Sequence, residues 1–118
     1  MTPTKPPEVK GPAAQCQTGR MCFWEDYGFA NTFRSTTASL FNFEDINFND
    51  ETSSVWNRMT VAWLLYIDAG YSDTRICVKA GASVANLASF GFNDKVSSAQ
   101  KLTEDTCPSG IIVFSGVN

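Results

Sequence analysis

The chain has 118 residues, 43% apolar and 13% aromatic, which is enough for one compact core and too apolar for a disordered segment. Nine basic against twelve acidic residues give a net charge of −3 with no Lys/Arg run, so binding to nucleic acid through several phosphates is not expected. Histidine is absent, which removes His general bases, Ser-His-Asp and Cys-His nucleophiles and His zinc sites, and the chain is expected not to be an enzyme.

In chain order, residues 1–15 (MTPTKPPEVKGPAAQ) lack the apolar core of a signal peptide, and their composition predicts an extended Pro-rich arm. Runs rich in β-branched and aromatic residues then predict strands at Met21–Glu25, Asn31–Thr37, Ser53–Met59, Val61–Ile67, Thr74–Lys79 and Ile111–Ser115. Gly, Asn, Asp and Ser punctuate them, with room for a short helical turn at Phe43–Ile46 or Val84–Ser89. No amphipathic 3.6-residue period persists, and no apolar stretch approaches the ~20 residues of a transmembrane helix, so membrane insertion is not expected. The reading is an all-β sandwich of Greek-key type over residues 16–101, followed by a C-terminal extension, 102–118, with an extra strand.

Four cysteines fall at positions 16, 22, 77 and 107, a spacing unlike paired CxxC zinc motifs. An even count in a small chain points to two disulfides, although four reduced thiols would also fit. Of three pairings the spacing favours Cys16–Cys22, which closes a tight loop, and Cys77–Cys107, which ties down the C-terminal segment. Loop-closure entropy assigns these roughly 2 and roughly 4 kcal/mol.

An internal repeat organises the rest. FNDETSS at position 48 returns as FNDKVSS at position 92. Upstream, Trp24 to Asn31 (WEDYGFAN) matches Tyr66 to Asp73 (YIDAGYSD): aromatic, any, Asp, any, Gly, aromatic, small, Asn or Asp. The offset is 42 residues at the first motif and 44 at the second, so the units run about 20–59 and 61–101. Two units are too few for a solenoid, and the expectation is a closed domain with pseudo-two-fold symmetry. Each aromatic pair reads as the lid of a hairpin, with Asn31 and Asp73 at a position that calls for positive φ. Asp26 and Asp68 hold equivalent positions and read as turn caps, not as a catalytic carboxylate pair.

The two hairpin motifs paired with NDETSS and NDKVSS resemble the βγ-crystallin domain. The run CxxxxxC, WED and GFND with SS is further similar to secreted bacterial peptidase inhibitors built on that fold, whose type member blocks metalloproteinases. The departures are Asn31 and Asp73 where the fold usually has Gly, and the added residues 102–118. The resemblance implies a calcium site at each serine motif, with exchanged ligands. Asp50 would reach the Lys95 carbonyl and Ser97 hydroxyl, and Asp94 would reach the Glu51 carbonyl and Ser53 hydroxyl. A hairpin carbonyl, Glu25 or Ile67, would complete each set, leaving Asn49, Asn93, Ser54 and Ser98 to bond the turn's own backbone. One carboxylate per ion implies weak binding, with dissociation constants of roughly 10⁻⁵ to 10⁻³ M. The same residues also suit self-bonded turns without metal.

Three functions fit. The first is a secreted peptidase inhibitor; by resemblance the bond Cys77–Val78, within Arg75 to Lys79, would be inhibitory, although the same run also reads as a buried edge of the second unit. The second is a structural or decorating protein of a cell or virus surface that docks on an assembly neighbour through its N-terminal arm. The third is a small killer-toxin-like antimicrobial protein.

Overall fold

A computed structural model describes residues 16–46, 48, 52–91 and 95–115. Among the described residues, eight strands form two four-stranded sheets. They are β1 (Met21–Asp26), β2 (Ala30–Thr36), β3 (Ser54–Asn57), β4 (Trp63–Asp68), β5 (Ser72–Val78), β6 (Ser83–Val84), β7 (Ser98–Lys101) and β8 (Ile112–Phe114). One sheet has the order β2-β1-β3-β6 and the other β7-β4-β5-β8. All pairings are antiparallel except β5 with β8.

The repeat governs the pairing register. Trp24 faces Ser54 across β1 and β3, and Tyr66 faces Ser98 across β4 and β7. The third segment of each unit crosses to the other unit's sheet. Val84 of β6 pairs with Val55, and Leu40 forms an isolated bridge to Ala99, its bonds measuring 2.8 and 2.9 Å. Short 3-10 turns follow each crossing, at Phe43–Ile46 and Leu87–Phe90. Asn42 and Asn86 open them in the same way, each side-chain oxygen accepting an N–H two residues on at 2.9 Å. Both turns bury their first residue, Phe43 or Leu87, in the core.

The fold confirms the all-β reading and places both anticipated turns, with two differences in the strands. Val84, where the sequence left room for a helical turn to begin, is instead extended with Ser83 because the two complete the edge of β3, and the turn starts at Leu87. Residues 98–101 form a strand although their sequence, SAQK, carries little β signal. Their partner β4 supplies the ladder, and tertiary pairing overrides local preference.

The strands β1 and β4 read MCFW and WLLY with hardly a polar residue because each sheet is covered on both faces. Met21, Phe23, Trp63 and Leu65 point between the sheets, into the main core with Phe43, Val55, Ile76 and Leu87. Cys22 and Trp24 face outward under Cys16, Phe29 and Trp56, with the Arg58 guanidinium 4.5 Å from the Trp56 ring centre. Leu64, Tyr66 and Cys77 face outward under Leu102, Cys107, Ile111 and Val113. Each outer layer is pinned by a disulfide, Cys16–Cys22 or Cys77–Cys107, the pairing that spacing favoured.

The segment 102–115 is therefore part of the packed domain. It bonds to Ala62 at both ends of a short crossing (Leu102 N–H to Ala62 O, 3.0 Å; Ala62 N–H to Glu104 O, 3.1 Å), and Asp105 accepts from the Ala80 N–H at 2.8 Å. It ends in β8, whose Phe114 is fully buried in the central core while Ile112 stays 37% exposed. Phe114→Ala should destabilise the domain by about 3–5 kcal/mol in denaturant unfolding, and Ile112→Ala by much less.

Candidate functional site

Among the described residues, the hairpin residues singled out by the repeat meet the serines of their own unit's motif. In the first hairpin the ladder shifts register between Trp24 and Asp26, so Glu25 occupies a bulge. Gly28, Phe29 and Asn31 then turn the chain with φ of 67°, 63° and 67°. In the second hairpin the shift lies between Tyr66 and Asp68, so Ile67 occupies the bulge. There Gly70 and Tyr71 take φ of 77° and 56°, while Asp73 stands inside β5. The aromatic residues lid the hairpins as expected, Trp24 on Phe29 at 5.3 Å and Tyr66 on Tyr71 at 5.9 Å between ring centres.

Buried hydroxyls clamp the hairpins to the sheets. The Ser54 hydroxyl donates to Asp26 O at 2.7 Å and accepts from the Phe29 N–H at 3.0 Å. Its counterpart Ser98 donates to Asp68 O at 2.5 Å and accepts from the Tyr71 N–H at 3.1 Å. These serines were expected to bond the backbone of their own turn. They reach across to the hairpin instead, because Ser54 and Ser98 stand opposite the aromatic that enters each hairpin, Trp24 or Tyr66.

Ser53 and Ser97 sit one residue earlier, 4% and 7% exposed. Their N–H groups donate to Trp24 O (2.8 Å) and Tyr66 O (2.9 Å), setting each serine beside a bulge residue, Glu25 or Ile67. Their carbonyls accept from Leu87 and Phe43, at 2.9 and 2.8 Å, on the segment that crosses from the other unit. Lys95 is exposed, and its carbonyl accepts from the Ser97 hydroxyl at 3.4 Å. The structure thus brings together Glu25 with Ser53, and Ile67 with Ser97 and Lys95. Asp50, Glu51 and Asp94, with Asn49 and Asn93, lie outside the described residues. The described donors are hydroxyl and carbonyl oxygens, the hard type that calcium takes and soft metals do not.

The Cys77–Val78 bond has a different environment from the one expected of an inhibitory bond. Both residues are fully buried, and β5 lies between β4 and β8. Cys77 and Val78 register with Leu64 and Trp63 on one side and with Val113 and Phe114 on the other, so a peptidase cleft could reach the bond only by stripping β8 away. The alternative reading, a buried strand of the second unit, is the one observed; β8 further covers what had been read as an edge.

The profile of peptidase inhibitor family I36 matches residues 10–78, more than half of the chain. The chain belongs to peptidase inhibitor family I36. The matched span takes in the N-terminal disulfide, all of the first unit and the second hairpin, and ends at the last residue of β5. No curated protein matches this family member. Among solved structures it is similar to a βγ-crystallin from Ciona intestinalis (TM-score 0.65, 24% identity, covering 71% of this chain and 100% of that one). It is likewise similar to a βγ-crystallin domain from Flavobacterium johnsoniae (0.61, 21%, 74% and 98%) and to spherulin 3a from Physarum polycephalum (0.61, 20%, 76% and 88%). At these identities the likeness establishes the fold. The I36 chain is a βγ-crystallin-type sandwich carrying two disulfides.

Removing either clamp should take the hydroxyl partner from a part-buried hairpin carbonyl and from the amide of the hairpin aromatic, Phe29 or Tyr71. Ser54→Ala and Ser98→Ala are each expected to lower stability by about 1–3 kcal/mol, read by thermal or denaturant unfolding. The double variant should show nearly the sum, since the two serines bond separate hairpins.

Proposed function

We propose that this chain is a secreted, calcium-braced inhibitor that binds a peptidase through a rigid surface. The observation that carries the proposal is membership of the inhibitor family over residues 10–78. Two disulfides in a small domain support an oxidising, extracellular setting. Sheets covered on both faces and tied by these bridges also suit the role, since surface loops on such a frame lose little conformational freedom on binding and release a partner slowly. Inhibition of this kind asks for complementarity and not for chemistry, in keeping with a chain that lacks histidine.

Calcium belongs to the same proposal. The Ser53 and Ser97 hydroxyls and the Lys95 carbonyl are hard oxygen donors beside bulge residues whose carbonyls can point out of the ladder. Asp50 and Asp94 would supply the carboxylates, and Glu51 a further carbonyl. When bound, the ion supplies charge neutralisation and fixes the serine turn against the hairpin. Ser54 and Ser98 already hold the hairpins without it, so the ion adds a brace to an existing contact. At a hundredfold excess over its dissociation constant one ion would add about 2.7 kcal/mol.

Two measurements test these readings separately. Thermal unfolding in calcium should give a higher melting temperature than in chelator. Asp50→Ala with Asp94→Ala should abolish the difference, and equal melting of wild type in both conditions would remove calcium from the account. Titration of thermolysin, chymotrypsin and trypsin should show stoichiometric loss of activity for at least one of them at micromolar protein. No loss for any of the three would reject the inhibitor reading.

A further inference from the structure

The repeat supplies an internal control for every position in it, and one position departs sharply from its twin. Phe41 and Ala85 occupy the same place in their units, each accepting through its carbonyl the N–H of a hairpin glycine: Gly70 to Phe41 at 2.7 Å, Gly28 to Ala85 at 2.9 Å. The fold therefore needs only the carbonyl there, and alanine satisfies it. Phe41 is nevertheless aromatic and 62% exposed, and exposes a larger fraction of itself than the other outlying apolar residues, Tyr27 and Ile112.

The ring is held as well as exposed. It packs edge-on against Tyr71 at 5.3 Å between centres, with an interplanar angle of 85°. It also lies against the backbone of Gly70, where a β-carbon would come within 3.3 Å of the ring tip. The chain on either side is fixed: Leu40 exchanges both of its backbone bonds with Ala99, and the Phe43 N–H donates to Ser97 O. The Ser39 hydroxyl accepts from the Lys101 N–H at 2.8 Å. From Ser35 to Phe43 the sequence carries no charge, and the Lys101 ammonium reaches this segment at the Thr37 carbonyl, 3.4 Å away and four residues before Phe41.

We propose that Phe41 is the anchor through which this chain engages a peptidase, entering a specificity pocket that accepts an aromatic or large apolar side chain. The proposal rests on the inhibitor reading above and assigns it a contact residue. An exposed aromatic whose rotamer and backbone are already fixed gives up little entropy when a pocket closes on it. Phe41 acts as a wedge and not as a cleaved residue. The Leu40 carbonyl is bonded to the Ala99 N–H and the Phe41 carbonyl to the Gly70 N–H, so neither flanking carbonyl is presented for attack.

Inhibition constants against chymotrypsin and thermolysin, which favour aromatic and large apolar residues, and against trypsin, which favours basic ones, test this directly. Wild type should inhibit chymotrypsin or thermolysin more strongly than trypsin. Phe41→Ala should weaken that inhibition by ~30-fold or more, Phe41→Leu should retain most of it, and Tyr27→Ala should leave it unchanged. Melting temperatures of both Phe41 variants should stay close to wild type, since the ring contributes little to the core. After incubation, the chain should be intact at Leu40–Phe41 and Phe41–Asn42 by mass spectrometry. Wild-type inhibition that survives Phe41→Ala, that is confined to trypsin, or that comes with cleavage at either bond overturns the assignment while leaving the inhibitor reading standing. Inhibition of none of the three enzymes overturns both.

Discussion

The whole domain depends on one exchange: each unit sends its third segment across to the other unit's sheet. Val84 pairs with Val55 and Leu40 with Ala99, and the residues just beyond, Leu87 and Phe43, donate to the carbonyls of Ser53 and Ser97. A unit alone would have an open sheet edge beside its serine motif and no cover over the apolar face between the sheets. Together the two close a core in which Phe43 and Leu87, buried first residues of the two short turns, stand in for each other. The exchange also makes the hairpins dependent on the opposite unit, since Gly28 and Gly70 donate to carbonyls of the crossing segments.

The same arrangement explains how a nearly symmetric scaffold can have an asymmetric surface. Backbone bonds and buried hydroxyls repeat, because the geometry of strand, bulge and hairpin fixes them. At positions 41 and 85 of the crossing segments that geometry fixes the backbone and leaves the side chain open, whereas Phe43, Val84 and Leu87 nearby are held in the core. Alanine at position 85 and phenylalanine at position 41 meet the same backbone requirement, and the difference is left for the surface. The segment after Leu102 breaks the symmetry in a second way, adding β8 and the buried Phe114 to one sheet only. Lying along β5, it also encloses Cys77 and Val78.

Much of this was legible from residue types and spacing. The repeated FND and SS letters marked the units, the hairpin aromatics marked the lids, and the cysteine intervals favoured the pairing that is observed. Runs such as MCFW and AWLLY announced strands because nothing in them suits a turn. The short strands were harder. SV at 83–84 and SAQK at 98–101 are extended only because β3 and β4 offer unpaired edges, and no local preference encodes a neighbour's edge. Ser54 and Ser98 were recognised as structural, but their partners depend on cross-strand register and not on sequence distance. Phe41 gave no signal at all before its twin, Ala85, could be compared with it in place.

What the sequence determined by itself is a duplicated all-β unit, its hairpins and serine motifs, and a disulfide framework, because these follow from periodicity and from residues with narrow conformational roles. Only the tertiary structure decided which hydroxyl clamps which hairpin, that the C-terminal segment completes the core, that Cys77–Val78 is enclosed and that Phe41 stands out in water. Those outcomes depend on which surfaces meet, and burial and register belong to pairs of segments far apart in the chain.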